Sequence, residues 1–122
     1  MDLQIREKTT QETPNFLDSV ETLRYRTGGV TIDATTVPAD GAGKKIIKGG
    51  TPIESLANGK FQPMPAAPTA GREYCILWRT LDCTNGDQIG AGIDHGRVRE
   101  ARLPVAVVAA QKQVLPGITF RA

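Results

Sequence analysis

Residues 74–103 read YCILWRTLDCTNGDQIGAGIDHGRVREARL, and the reading of this stretch decides the fold class. Tyr74-Cys75-Ile76-Leu77-Trp78 is a short apolar run of aromatic and branched side chains, the composition of a buried strand. Thr84-Asn85-Gly86-Asp87 then offers a turn, because Asn-Gly tolerates the positive φ that tight hairpins demand. From Gln88 to Asp94 apolar and polar residues alternate, which predicts a second strand with Ile89, Ala91 and Ile93 on one face. Gly96 to Leu103 continues as a third strand, with Val98 between Arg97 and Arg99, and the alternation slips near Ala101.

Length and composition bound what surrounds this stretch. A chain of 122 residues suits one small domain, and folding a chain of this size removes about two-thirds of its surface from water. Thirteen Gly and eight Pro beside few aromatics indicate short elements and many turns, which favours an all-β barrel or sandwich over a helical bundle. The formal net charge of +2 is too small to argue for a nucleic-acid partner. No run approaches the roughly eighteen apolar residues of a membrane span, and MDLQIREKTT holds no signal-peptide apolar region. The expectation is a soluble protein made in a cytoplasm, without a membrane partner. Cys75 and Cys83, the only cysteines, are expected to stay free thiols. An extended strand between them holds their Cα atoms too far apart for a disulfide, and a cytoplasm keeps thiols reduced.

Residues 1–27 read as an N-terminal arm and residues 28–122 as the folded domain. Met1 to Pro14 is polar, with too little apolar surface to offset the cost of ordering. Leu3-Gln4-Ile5-Arg6 nevertheless alternates, as a strand does that adds to another protein's sheet edge. In Asn15 to Arg26, Phe16, Val20 and Leu23 fall at helical spacing behind a capping Asn15, so this part reads as a short amphipathic anchor at an interface. Gly28-Gly29 breaks the chain. Val30 to Ala34, Lys44 to Lys48 and Thr51 to Leu56 follow as strands, Pro52 marking an edge or a strand start. Ala57-Asn58-Gly59-Lys60 is a hairpin turn returning through Phe61, and the prolines of residues 62–71 make a surface loop. After Pro104, Val105 to Leu115 is predicted as a helix with Val105, Val108, Ala109 and Leu115 toward the sheet and Gln111, Lys112 and Gln113 in water. Ile118-Thr119-Phe120 closes the domain as a last strand.

Little in the chain carries chemistry. Asp94-His95-Gly96-Arg97 is the one place where an acid, the sole histidine and an arginine adjoin. Strand neighbours point to opposite faces, so Asp94 and His95 do not form a dyad, and His95-Gly96 reads as a bulge or tight bend. Gly41-Ala42-Gly43-Lys44-Lys45 lacks the Ser or Thr and the following helix of a phosphate loop. Two cysteines without clustered histidines make no zinc site. No catalytic residue, metal or cofactor is expected.

The order of these parts resembles a known family. VTIDATTVPADGAGKKIIKGGTPI over residues 30–53, followed by the Asn58-Gly59 hairpin, is similar to the entry of the head decoration (capsid cement) proteins of tailed phages. CILWRTLDCTNGDQIGAGIDHGRVREARLP is similar to their strand, turn and valine-rich outgoing strand, and the Pro104 helix and Gly117-Ile118-Thr119-Phe120 match their ending. The resemblance covers about Val30 to Phe120. It implies a mainly β domain with one short helix, a small β-tulip or barrel-like fold of the lambda type, preceded by an extended arm. It further implies a homotrimer on the outer surface of an expanded capsid, at three-fold and quasi-three-fold sites, binding the major capsid protein. Such a protein is a structural component of the virion, not an enzyme, and stabilises the shell against internal DNA pressure. On this reading Leu3, Ile5, Phe16, Leu17, Val20 and Leu23 are shell contacts, with Arg24 and Arg26 as polar partners at the rim. Two alternatives stand beside it: a small β-barrel that binds single-stranded nucleic acid, and a small enzyme that uses His95.

Overall fold

The computed structural model describes residues 16–121, and of residues 18–22 the backbone alone. In chain order its elements are β1 (Leu17–Tyr25), β2 (Val30–Ile32), β3 (Ile46–Ile47), β4 (Pro52–Ser55), β5 (Phe61–Pro63), β6 (Tyr74–Leu77), β7 (Leu81–Asp82), β8 (Gln88–Gly90), β9 (Gly92–Arg99), the helix α1 (Ala109–Gln113) and β10 (Ile118–Arg121). The fold is mainly β with one short helix, as the sequence predicts. Seven strands lie in the order β1-β9-β6-β4-β5-β2-β8 and curl into a half-barrel. Strand β10 joins the sheet along β9, and β3 pairs with β7 as a separate ribbon.

Strand β6 lies where both faces of the sheet are covered, and its sequence shows why. Cys75 and Leu77 point one way, into a core with Val30, Ile32, Ile53 and Phe61. Ile76 points the other way, into a second core with Phe16, Ile93, Val98, Leu115 and Ile118. A strand apolar on both faces has to sit inside a structure rather than at its surface. Each buried Ile, Leu or Phe stabilises the fold by about 1.5–3 kcal/mol relative to exposure, so the two-sided burial of β6 fixes the sheet's centre. Strand β9 then organises one side of it. It carries β1 antiparallel on one edge, and β6 followed by parallel β10 on the other.

Several local readings hold. The Asn58-Gly59 turn closes β4 onto antiparallel β5, with the Leu56 N–H donating to the Lys60 carbonyl at 2.6 Å and the Asn58 side chain accepting from the Lys60 N–H at 3.0 Å. Pro52 opens β4, where its missing N–H costs no ladder bond. Both cysteines are buried and free.

Three expectations are corrected. Residues 88–94 are not one strand: the chain corners at Ala91, β8 pairs with β2 while β9 pairs with β6, and Ile89 is 75% exposed where Ile93 is fully buried. Gly92 makes this corner possible, since a Cβ there meets the Cys75 sulfur at 2.6 Å and a Val30 methyl at 3.1 Å. The anchor expected at an interface rather than in the core is strand β1 of the main sheet, with Phe16 buried beside it. A lone helix of about twelve residues is marginal in water, whereas β9 offers a full strand edge to pair with. Finally, the helix after Pro104 shrinks to Ala109–Gln113. Val105, Val107 and Val108 are β-branched and poor helix formers; Val105 and Val108 end up 44% and 42% exposed, and Ala109 is exposed too. Leu115 is buried as expected, but so is Gln111. Its side-chain oxygen accepts from the Val108 N–H at 3.0 Å, and its amide donates to the carbonyls of Met64 and Pro65 at 3.1 Å.

Candidate functional site

The residues expected at a shell surface divide sharply. Leu3 and Ile5 lie outside the described residues, as does the side chain of Val20. Phe16 is 2% exposed and sits edge-on to Trp78 at 6.3 Å in the second core. Leu17 and Leu23, half-buried, pack against the same core. Arg26 is a structural clamp. Its guanidinium donates to Glu73 at 2.9 Å through Nε and to the Gly29 carbonyl at 2.6 Å, and it lies over the Phe61 ring at 5.0 Å. Of the described side chains in that set, only Arg24 remains on the surface. The others are committed to the domain because β1 brings them onto β9.

Strand β1 is an end strand of the sheet, and among the described residues nothing pairs with its outer edge. Its ladder with β9 is irregular. Between the pairs Arg24–His95 and Tyr25–Ile93, β9 carries one residue more than β1. This is a bulge at Asp94, a residue before the His95-Gly96 position read from sequence, and it re-aims the side chains beyond it. Ile93 faces the core before the bulge; after it Gly96 and Val98 face inward, and His95, Arg97 and Arg99 face out. Opposed residues share a face. Arg24 on β1, and Thr119 and Arg121 opposite Arg97 and Arg99 on β10, therefore join that outer face.

A cleft of about 550 Å³ opens on this corner, lined by Arg24, His95, Arg97, Pro116, Gly117 and Thr119 among others. Its floor is rigid. The Gly96 N–H donates to the Gly117 carbonyl at 3.1 Å, and a Cβ at Gly117 meets the Asp94 carbonyl at 2.5 Å and the His95 ring at 2.9 Å. Among the described residues neither Asp nor Glu lines the cleft. Asp94, on the opposite side of the bulge, lines a different cleft with Arg26, Glu73 and Tyr74. Asp94 and His95 thus form no dyad, as the alternation predicts.

Other ionisable groups are held by the fold. Burial pushes the Cys75 thiol up to about 12, with the Asp94 charge adding to it, and burial raises the Cys83 thiol as well. Both are poor nucleophiles in this state. Lys60 and Asp87 pair at 2.6 Å; the hydrogen bond between them, with the Ala34 N–H also donating to Asp87, holds the Asp87 carboxyl below its usual range and raises Lys60. Among the described residues no group of three or more His, Cys, Asp or Glu could hold a metal ion. The sequence singled out Arg24, His95 and Arg97, but not their meeting place: no pattern within one strand shows which residues its neighbour sets opposite. Compared with known protein families, with curated proteins and with solved structures, the chain matches none.

Proposed function

We propose that the protein is a capsid decoration protein of a tailed phage, a non-enzymatic homotrimer that binds the outside of an expanded shell and stabilises it. The observation that carries this reading is the way the N-terminus meets the sheet. Residues 1–15 precede in the chain β1, a nine-residue strand that ends the curled sheet of the described residues. A long unpaired edge is a template for another chain's strand, and Leu3-Gln4-Ile5-Arg6 has the alternation of a segment that adds to such an edge elsewhere. Arm and edge together give each copy two ways to engage a neighbouring polypeptide by main-chain pairing.

Because Phe16, Leu17, Leu23 and Arg26 serve the domain's own packing, the contacts with the major capsid protein pass to Leu3, Ile5, Val20, Arg24 and the β1 edge. One arm binds weakly, since its ordering entropy opposes the contacts it makes. Three arms on one trimer act as linked sites, and avidity then exceeds single-arm affinity by about a hundredfold or more. Binding only to the assembled shell stabilises that shell by mass action.

Pelleting with expanded heads of the phage that encodes the protein tests this. The wild-type chain is expected to pellet with the shells, and a Leu3→Asp/Ile5→Asp variant to stay in the supernatant while keeping its thermal midpoint. A variant that pellets like the wild type contradicts the arm's role; a wild-type chain that stays in the supernatant contradicts the reading itself.

A further inference from the structure

We infer that the outer face of the β1–β9–β10 corner is a binding site for carboxylates, and that its occupant is an extended acidic segment of another polypeptide lying beside β1. The inference does not rest on the shell reading; it needs only a partner that carries Asp or Glu at strand spacing.

Charge complementarity is the first support. Three other cations of the domain are answered at short range: Arg26 by Glu73, Lys60 by Asp87, Lys112 by Glu100. Arg24 and Arg97 form no ion pair with a described residue, and they stand on one exposed face with His95 between them. The bulge at Asp94 turns its carboxyl into the other cleft. Both cations of this face are arginines, whose planar forks take a carboxylate with two parallel hydrogen bonds. The Thr119 hydroxyl, opposite Arg97, adds a neutral donor at the cleft wall.

Geometry supplies the second. The cationic face borders the open edge of β1. A strand added there continues the sheet, and every second side chain on it projects over this same face. Alternating acidic residues would then reach Arg24 first and the cleft beyond it. The face favours protein over nucleic acid because none of the cleft's lining residues is Phe, Tyr or Trp, the side chains that bases stack on, and Phe120 turns inward to the second core.

Calorimetric titration of the full chain at low salt tests the site, using a short peptide of alternating Glu and Thr as the probe. Saturable binding is expected. Arg24→Gln and Arg97→Gln should each weaken it about three- to fivefold, the range of an exposed charge pair, while Lys44→Gln/Lys45→Gln in the distant exposed loop leaves it unchanged. A peptide of alternating Gln and Thr should bind at least about tenfold more weakly, since it lacks every charge-assisted bond. Arg24, Arg97 and Lys44 are exposed and Lys45 is half-buried, and an unchanged melting curve certifies each fold. Absence of binding overturns the proposal, as does equal loss in the Lys44/Lys45 variant, which would mean unspecific attraction. Tighter binding of an oligothymidylate that depends on Arg97 overturns it in favour of nucleic acid. Tighter peptide binding by a Glu7→Gln/Glu12→Gln chain overturns it too, because the chain's own first residues would then be the occupant.

Discussion

Glu54 shows how much of this fold hangs on single polar side chains. It sits on β4 with none of its surface exposed, opposite Tyr74 of β6. One carboxyl oxygen accepts from the Gln62 amide at 2.7 Å and from the Thr69 hydroxyl at 3.2 Å; the other accepts from the Thr69 N–H at 2.9 Å. The Tyr74 hydroxyl donates to the Thr69 carbonyl next to it. Gln111 holds the same proline-rich loop from its other end, at Met64 and Pro65. A loop without regular structure is thereby fixed over the second core by two buried polar groups, each with its partners satisfied. Glu54→Leu should destabilise the protein by about 2–4 kcal/mol, because it leaves the Thr69 N–H and the Gln62 amide without their acceptor. Urea unfolding measures this; a loss below about 0.5 kcal/mol, the size of an ordinary surface change, would show that water replaces the carboxyl.

At the scale of elements, the corner between β8 and β9 is closely packed. Gly92→Ala puts a methyl carbon 2.6 Å from the Cys75 sulfur, and overpacking of this kind costs about 1–3 kcal/mol. Cys75→Ala in the same chain should recover part of that loss by removing the opposing atom. If the double variant is no more stable than the sum of the two single changes, the contact is not the cause. The turn before β8 gives a pH signature. Asp87 is held below its ordinary value of 3.8 by Lys60 and the Ala34 N–H. A carboxyl whose folded value is depressed contributes stability above its unfolded value and loses it as the pH falls through the folded one. The thermal midpoint of the wild type should therefore exceed that of Asp87→Asn at neutral pH, and the gap should close as the pH drops below 3.8. A gap that persists at the acid end would contradict the pairing.

The elements also show what the sequence could reveal. Cys75, Ile76 and Leu77 announce a strand covered on both sides because each is apolar whichever face it takes. Asn58-Gly59 and Pro52 are legible because their backbone preferences act within four residues. Phe16, Val20 and Leu23 are not, since their spacing suits a helix as well as an irregular strand, and only β9 decides between them. Gln111 reads as a wetted polar residue until the loop at Met64 and Pro65 is folded over it. The cationic cleft likewise exists only through the register of three strands: Arg24, Arg97 and Thr119 are far apart in the chain, and a one-residue bulge at Asp94 sets which of their neighbours joins them.

On the scale of the whole molecule, the sheet that the described residues form is closed on neither side. Strand β1 ends it at one side and β8 at the other, so the half-barrel has edges where a barrel has none. The β1 edge borders the arginine face, and both features suit a polypeptide partner. Shell decoration, the function proposed above, would use the N-terminal segment, this edge and the avidity of the proposed trimer together. The most direct test is the number of copies bound per expanded shell at saturation, measured by quantitative co-sedimentation. Three copies for each three-fold and quasi-three-fold position are predicted, with a sharp plateau. Binding that never saturates, or shells that pellet without the protein, would contradict the account.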